Sequence, residues 1–180
     1  RLLTLVVEPS SVCNLSCWFC DLHSGRWGKA EQFKGKMTLD TWKLLMSQIR
    51  DLGYPLEQLQ IHGNGEPLLN KNIVEMVMLA KPIAKKIRLT TNGINLTPKM
   101  TWKLRDIGID EIWVSIDIAG ELVYKHFKGK NSYQKVERNI FCAASLIEHS
   151  DHTSLIIKYP IPDPQKSYGI DNLFGDSVIE

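Results

Sequence analysis

Three cysteines stand three and then two residues apart in the stretch "CNLSCWFC", as Cys13, Cys17 and Cys20, in a chain that has only four cysteines. Thiols crowded this closely cannot make a disulfide framework for 180 residues, so they point to a reducing compartment and to metal ligation. Thiolates suit zinc or iron-sulfur clusters. With His23 they could form a closed Cys3His zinc tetrahedron. A cube of four irons instead has four positions to ligate, and three thiols would leave one of them for a small molecule, much as catalytic zinc keeps a position open. The cysteines alone leave both readings standing.

The elements that must position these thiols follow from hydrophobic periodicity. Leu2 to Val7 is an apolar run of strand length, suited to a strand buried on both faces, and the cysteines lie in the loop that leaves it. Leu39, Trp42, Leu45, Met46, Ile49 and Leu52 recur at helical spacing, with Thr38 placed to cap the start and Gly53 just past the end. The order then repeats. Leu59 to His62 reads as a strand, and Ile73, Val77 and Ala80 mark a helix stopped near Pro82. Ile87 to Thr90 is the next strand, and Thr97-Pro98 opens a helix with Met100, Leu104 and Ile107. Ile112 to Ile116 is a fourth strand. After a loop, Ser132 is placed to cap a helix with Val136, Ile140, Ala143 and Ile147, and Leu155 to Tyr159 is a fifth strand.

Strands alternating with helices imply an α/β fold with a parallel sheet built from right-handed crossovers. A closed eight-unit barrel needs about 250 residues, so the expectation is a partial barrel. Ligands in such folds bind at the carboxyl ends of the strands. The cysteine loop, "GNGEP" at 63–67, "TNG" at 91–93 and the end of "VSID" at 114–117 all fall on that rim. Ser115 and Asp117 alternate with apolar Val114 and Ile116, so both point the same way.

On these residues the sequence resembles the radical S-adenosylmethionine (radical SAM) enzyme superfamily. The cysteine spacing is that of the family signature, with aromatic Phe19 before the last cysteine. "GNGEP" is similar to the family's Gly-Gly-Glu-Pro segment, with Asn64 in place of the commoner glycine, and "TTNG" and "VSID" stand where the family's third and fourth strands end. The resemblance covers nearly the whole chain. It implies a partial (β/α)6 barrel of parallel strands with outer helices, truncated at the C-terminus, and a 4Fe-4S cluster on Cys13, Cys17 and Cys20. It implies that S-adenosylmethionine chelates the open iron and is split reductively, and that the 5'-deoxyadenosyl radical takes a hydrogen atom from substrate. By resemblance Gly63, Asn64, Gly65 and Glu66 hold the methionyl amino group. Asn92, Ser115 and Asp117 go to the ribose or the methionyl carboxylate, and Phe19 to the adenine. "CNLSCWFC" followed by a long loop and "GEPLL" is most similar to the branch with C-terminal SPASM or twitch extensions. Those enzymes modify peptides or proteins, or dehydrogenate small alcohols. A low-potential electron donor, flavodoxin or ferredoxin, is the implied partner.

Composition narrows the rest. A hydrophobic share of 43% and a formal charge of +2 describe a foldable chain without the basic field of a nucleic-acid binder. The basic run Lys85 to Arg88 reads as the solvated end of an element. No apolar run has membrane-spanning length and no signal pattern opens the chain, so a cytoplasmic protein with no membrane and no nucleic-acid partner is expected. The chain begins on Arg1, as a piece of a longer protein would. Residues 1–159 read as one core domain and 160–180 as an irregular, proline-rich tail holding a sixth strand or a linker. Structural alternatives stand beside the functional ones. Glu66 could cap the following helix, Ser115 and Asp117 could be a satisfied polar pair, Cys142 a core thiol, and Trp42 and Trp102 packing residues. A zinc-stabilised binding module and a catalytically silent iron-sulfur scaffold are the rival functions.

Overall fold

Along β3 (Ile87–Thr91) and β4 (Glu111–Ser115) every second side chain is buried and its neighbours are half-buried, which separates the two faces of the sheet. The structure, a computed structural model, describes residues 4–24, 34–117 and 120–158. Within these, β1 (Thr4–Val7), β2 (Gln58–Ile61), β3, β4 and β5 (Ser154–Lys158) form one sheet in the order β1-β2-β3-β4-β5, every pair parallel. Strands that follow in chain order without reversal, joined by crossovers of one hand, place their helices on a single face and curl the sheet as in a barrel. The intervening helices are α1 (Leu39–Arg50), α2 (Ile73–Ala80), α3 (Pro98–Asp106), α4 (Glu121–Lys128) and α5 (Tyr133–Ile147). Leu59, Ile61, Ile87, Leu89, Ile112 and Val114 are fully buried on the helix-facing side, in one core with Trp42, Met76, Leu104 and Val136.

The expected helix ends hold at Thr38, whose Oγ1 accepts from Thr41 N at 3.1 Å, and at Thr97, whose Oγ1 accepts from Met100 N at 3.3 Å. Several expectations are corrected. β1 is not buried on both faces: Val6 is 53% exposed, because β1 is an outer strand paired only to β2. Ser132 sits at the start of α5 without capping it. Its hydroxyl is engaged with Tyr124 Oη at 3.4 Å. The expected loop before Ser132 contains α4. Trp42 is core, whereas Trp102 is exposed and Cys142 only half-buried. Arg88 is no solvated end. It bonds Glu111 at 2.7 Å and lies 3.9 Å over the Trp113 ring, on the sheet face opposite the helices. The tail at 160–180, with its expected sixth strand or linker, and Tyr159 lie outside the described residues. No helix among the described residues is long and apolar enough to cross a membrane.

Trp42 fills the space between α1 and the sheet, so Trp42→Ala should cost about 3–5 kcal/mol of stability in thermal or urea unfolding. Leu44→Ala, on the exposed face of the same helix, should stay within about 0.5 kcal/mol.

Candidate functional site

The cysteine loop is tied down on both sides. Behind it, Leu15 is buried in the core, and Glu66 N donates to Val12 O at 2.9 Å. In front, Ser16 N and Trp18 N donate to the carbonyls of Lys128 and Phe127, at 3.3 and 2.8 Å, where α4 ends. Gly129 follows with φ +68, and a Cβ there would run into Ser16, so only glycine lets the helix end meet the loop this closely. The two glycines of "GNGEP" serve the same packing. A Cβ on Gly63 would overlap the Glu8 side chain and one on Gly65 the Ser10 carbonyl, while Gly65 N donates to Glu8 Oε1 at 2.9 Å.

Glu66 joins two rim segments. Its carboxylate is 1% exposed, with Oε1 accepting from Leu68 N at 3.0 Å and Thr91 Oγ1 at 2.6 Å, and Oε2 accepting from Asn92 N at 2.8 Å. It therefore does cap the short 3-10 turn Pro67–Leu69, and it also fixes the exit of β3. Asn92 in turn donates from Nδ2 to Asn14 Oδ1 at 2.7 Å, with Cys13 Sγ 3.8 Å away. Asn139 on α5, buried, holds the same turn from behind by donating to the carbonyls of Gly93 and Ile94 at 2.8 and 3.1 Å. Asn70 does likewise for the start of the cysteine loop, donating to Pro9 O at 2.8 Å and Met37 O at 3.0 Å.

Beyond β4, Ser115 Oγ donates to Asp117 Oδ1 at 2.6 Å, so the pair is indeed a bonded one. Asp117 has φ 62, a left-handed backbone that a non-glycine residue adopts at a cost. The ammonium of Lys128, 3% exposed, pairs with Asp117 Oδ2 and donates to Ser115 O at 3.3 Å. The same ammonium lies 5.3 Å over the ring of Phe19.

One cleft of about 300 Å³ gathers every residue the family resemblance put forward, Cys13, Cys17 and Cys20, Phe19, Gly63, Asn64, Gly65, Glu66, Asn92, Ser115 and Asp117, while His23 is not among its lining residues. His62 and Thr90 also line it, as does Lys128, which sequence reasoning missed. The signal for Lys128 was available: Val123, Tyr124 and Phe127 between Gly120 and Gly129 fall on one helical face at i, i+1 and i+4, and that helix delivers the lysine. Burial pushes the Cys17 thiol up to about 11, against the pull of the Lys128 ammonium and with the neighbouring thiols adding to the rise. Burial also raises Cys13 and Glu66, the latter against its hydrogen-bond donors. It lowers His62, with Lys158 and Arg88 adding to the effect.

A probable GTP 3',8-cyclase of Methanococcus maripaludis is 32% identical over 141 residues, which is 78% of this chain and 44% of that protein. The chain thus spans less than half the length of that curated relative. Among solved structures, BtrN in complex with AdoMet and 2-DOIA superposes with a TM-score of 0.59 at 24% identity, covering 87% of this chain and 57% of BtrN. Native anSMEcpe with bound AdoMet and Cp18Cys peptide gives 0.61 at 22%, covering 86% and 42%. Both likenesses establish the partial-barrel fold. The family model of the radical SAM superfamily matches residues 7–165, and the chain belongs to that superfamily.

Proposed function

We propose that this chain is the S-adenosylmethionine-cleaving core of an enzyme that removes a hydrogen atom from a peptide, a protein or a small molecule. The superfamily uses a 4Fe-4S cluster and S-adenosylmethionine, and its enzymes need an electron donor and a substrate. The observation that carries the proposal is the single cleft. Three free thiols share it with the glycine loop after β2 and with the exits of β3 and β4.

Cys13, Cys17 and Cys20 would hold the cluster. Three thiolates fit four irons with one position over. When bound and reduced, the cluster supplies the electron that breaks a carbon-sulfur bond of S-adenosylmethionine. The chain's own part is placement. The Gly63 to Gly65 backbone would receive the methionyl amino group, with Glu66 holding that loop against Thr91 and Asn92. Ser115, Asp117 and Asn92 would meet the ribose or the carboxylate, and Phe19 would cover the adenine. In the same reading, residues 1–159 are the radical SAM core domain and 160–180 an irregular tail that holds a sixth strand or a linker. The donor is flavodoxin or ferredoxin, and the setting is the cytoplasm, where thiols stay reduced.

Ligation needs thiolates, so loading must expel protons from the raised Cys13 and Cys17 thiols. In the metal-free protein, Cys17 should alkylate slowly with iodoacetamide at neutral pH. Its rate should climb about tenfold per pH unit until pH approaches 11, read by mass spectrometry of its peptide. A plateau near pH 8 would contradict the burial argument.

The decisive experiment is anaerobic reconstitution with iron and sulfide, reduction with dithionite, and addition of S-adenosylmethionine. A reduced-cluster EPR signal that shifts on the addition, with 5'-deoxyadenosine formed, is expected. Cys17→Ala should lose both the iron and the product while keeping its helical circular dichroism. A colourless protein with stoichiometric zinc would overturn the proposal.

A further inference from the structure

Cys13 is set apart by the N–H groups aimed at its sulfur. Asn92 Nδ2 lies 3.8 Å from Cys13 Sγ, within reach of an N–H···S bond. The neighbours of the amide fix its orientation. Asn92 Oδ1 accepts from Ile94 N at 3.0 Å, and Nδ2 donates to Asn14 Oδ1 at 2.7 Å. A flipped amide would set oxygen against oxygen at Asn14 and donor against donor at Ile94, so one amide hydrogen goes to Asn14 and the other is left for the sulfur. The backbone N–H groups of Leu15 and Asn14 bond the same sulfur. Cys17 answers instead to burial and to the Lys128 ammonium. The turn that carries Asn92 is anchored away from the thiols, by Asn92 N on the buried Glu66 carboxylate at 2.8 Å and by Asn139 on the carbonyls of Gly93 and Ile94.

We propose that Asn92 is a positioning residue that tunes the reduction potential of the cluster through Cys13, its side-chain N–H donating to the ligand sulfur and making the cluster easier to reduce. The inference rests on the reading that Cys13, Cys17 and Cys20 hold the cluster. Reduction adds one electron to a centre whose charge spreads onto its ligand sulfurs. A donor at one of those sulfurs stabilises the more negative, reduced state over the oxidised one, so the potential rises. Cys13 is the ligand where this matters most among the three. The Glu66 carboxylate acts on it in the opposite sense, disfavouring negative charge there, and the Asn92 amide offsets that carboxylate while being held by it. The same geometry narrows what Asn92 can do for S-adenosylmethionine. With both amide hydrogens engaged, it has only a lone pair of Oδ1 to offer, which suits a ribose hydroxyl and not the methionyl carboxylate.

The test is an EPR-monitored redox titration of the reconstituted full chain without S-adenosylmethionine, so that contacts to that molecule play no part. In Asn92→Ala the ratio of reduced to oxidised cluster at the wild-type midpoint should fall about tenfold, a midpoint lower by about 59 mV for a one-electron couple. Thr90→Val, which changes another half-buried residue lining the cleft, should keep that ratio near the wild-type value. A second measurement needs no variant. With the heavy nitrogen isotope confined to asparagine side-chain amides, pulsed EPR of the reduced wild-type cluster should show a nitrogen coupling carried by the N–H···S bond. An unchanged midpoint in Asn92→Ala, or a wild-type cluster without that coupling, would overturn the inference. If Asn92→Ala loads no cluster, the wild-type coupling decides. A wild-type chain that assembles no cluster would sink the proposed function and this inference with it, whereas a cluster that cleaves S-adenosylmethionine at a potential indifferent to Asn92 would sink this inference alone.

Discussion

The buried carboxylate of Glu66 is the constraint on which the rim depends. Taking an ionised carboxylate out of water costs several kcal/mol unless donors replace the lost hydration. Three donors, Leu68 N, Thr91 Oγ1 and Asn92 N, offset part of that cost, although burial still raises the carboxyl above its ordinary range. Because the donors come from the segments after β2 and after β3, the carboxylate is satisfied only when both loops are in place. Glu66 N on Val12 O adds the cysteine loop to the same assembly. One residue, through its side chain and its own N–H, thereby couples three rim segments.

The one-way strand order explains why the rim can be so polar. With every helix on one face, the apolar half of each strand is consumed there, by residues such as Leu59, Leu89 and Val114. The alternate positions are released from packing. Gln58, Gln60, Arg88, Thr90, Glu111, Trp113 and Ser115 occupy them, half-buried. Arg88 and Trp113 both engage Glu111, so this polar face is internally paired low in the sheet. Toward the strand ends His62 and Ser115 open into the cleft instead.

Local signals were the legible ones. The cysteine spacing, the glycine loop and the strand ends lie within short stretches, and strand exits in a parallel sheet share one edge, so their convergence followed from order alone. What escaped was long-range. Lys128 reaches the cleft only because α4 folds back onto the cysteine loop. That helix is only eight residues long, too short to hold itself in water, and is kept by tertiary packing. Asn139 and Asn70 are single polar residues whose importance lies in carbonyls dozens of positions away. Even the exposure of Val6 is topological, since nothing in an apolar run says that its strand will lie at the edge of the sheet.

The charges in the cleft set the terms on which its thiols can react. Glu66 is a buried acid and Asp117 a half-buried one, and Lys128 is bound to Asp117. Glu66 disfavours a thiolate at Cys13, and Asp117 disfavours one at Cys17, beyond the cost of burial itself. Lys128 offsets this for Cys17 but has already given its charge to Asp117, whose left-handed backbone it also helps to hold. Three thiolates would therefore crowd negative charge into a site already carrying it, and only cations entering with them can compensate. A cleft built this way raises the Cys13 and Cys17 thiols, so a metal centre that takes them as thiolates must release their protons on binding.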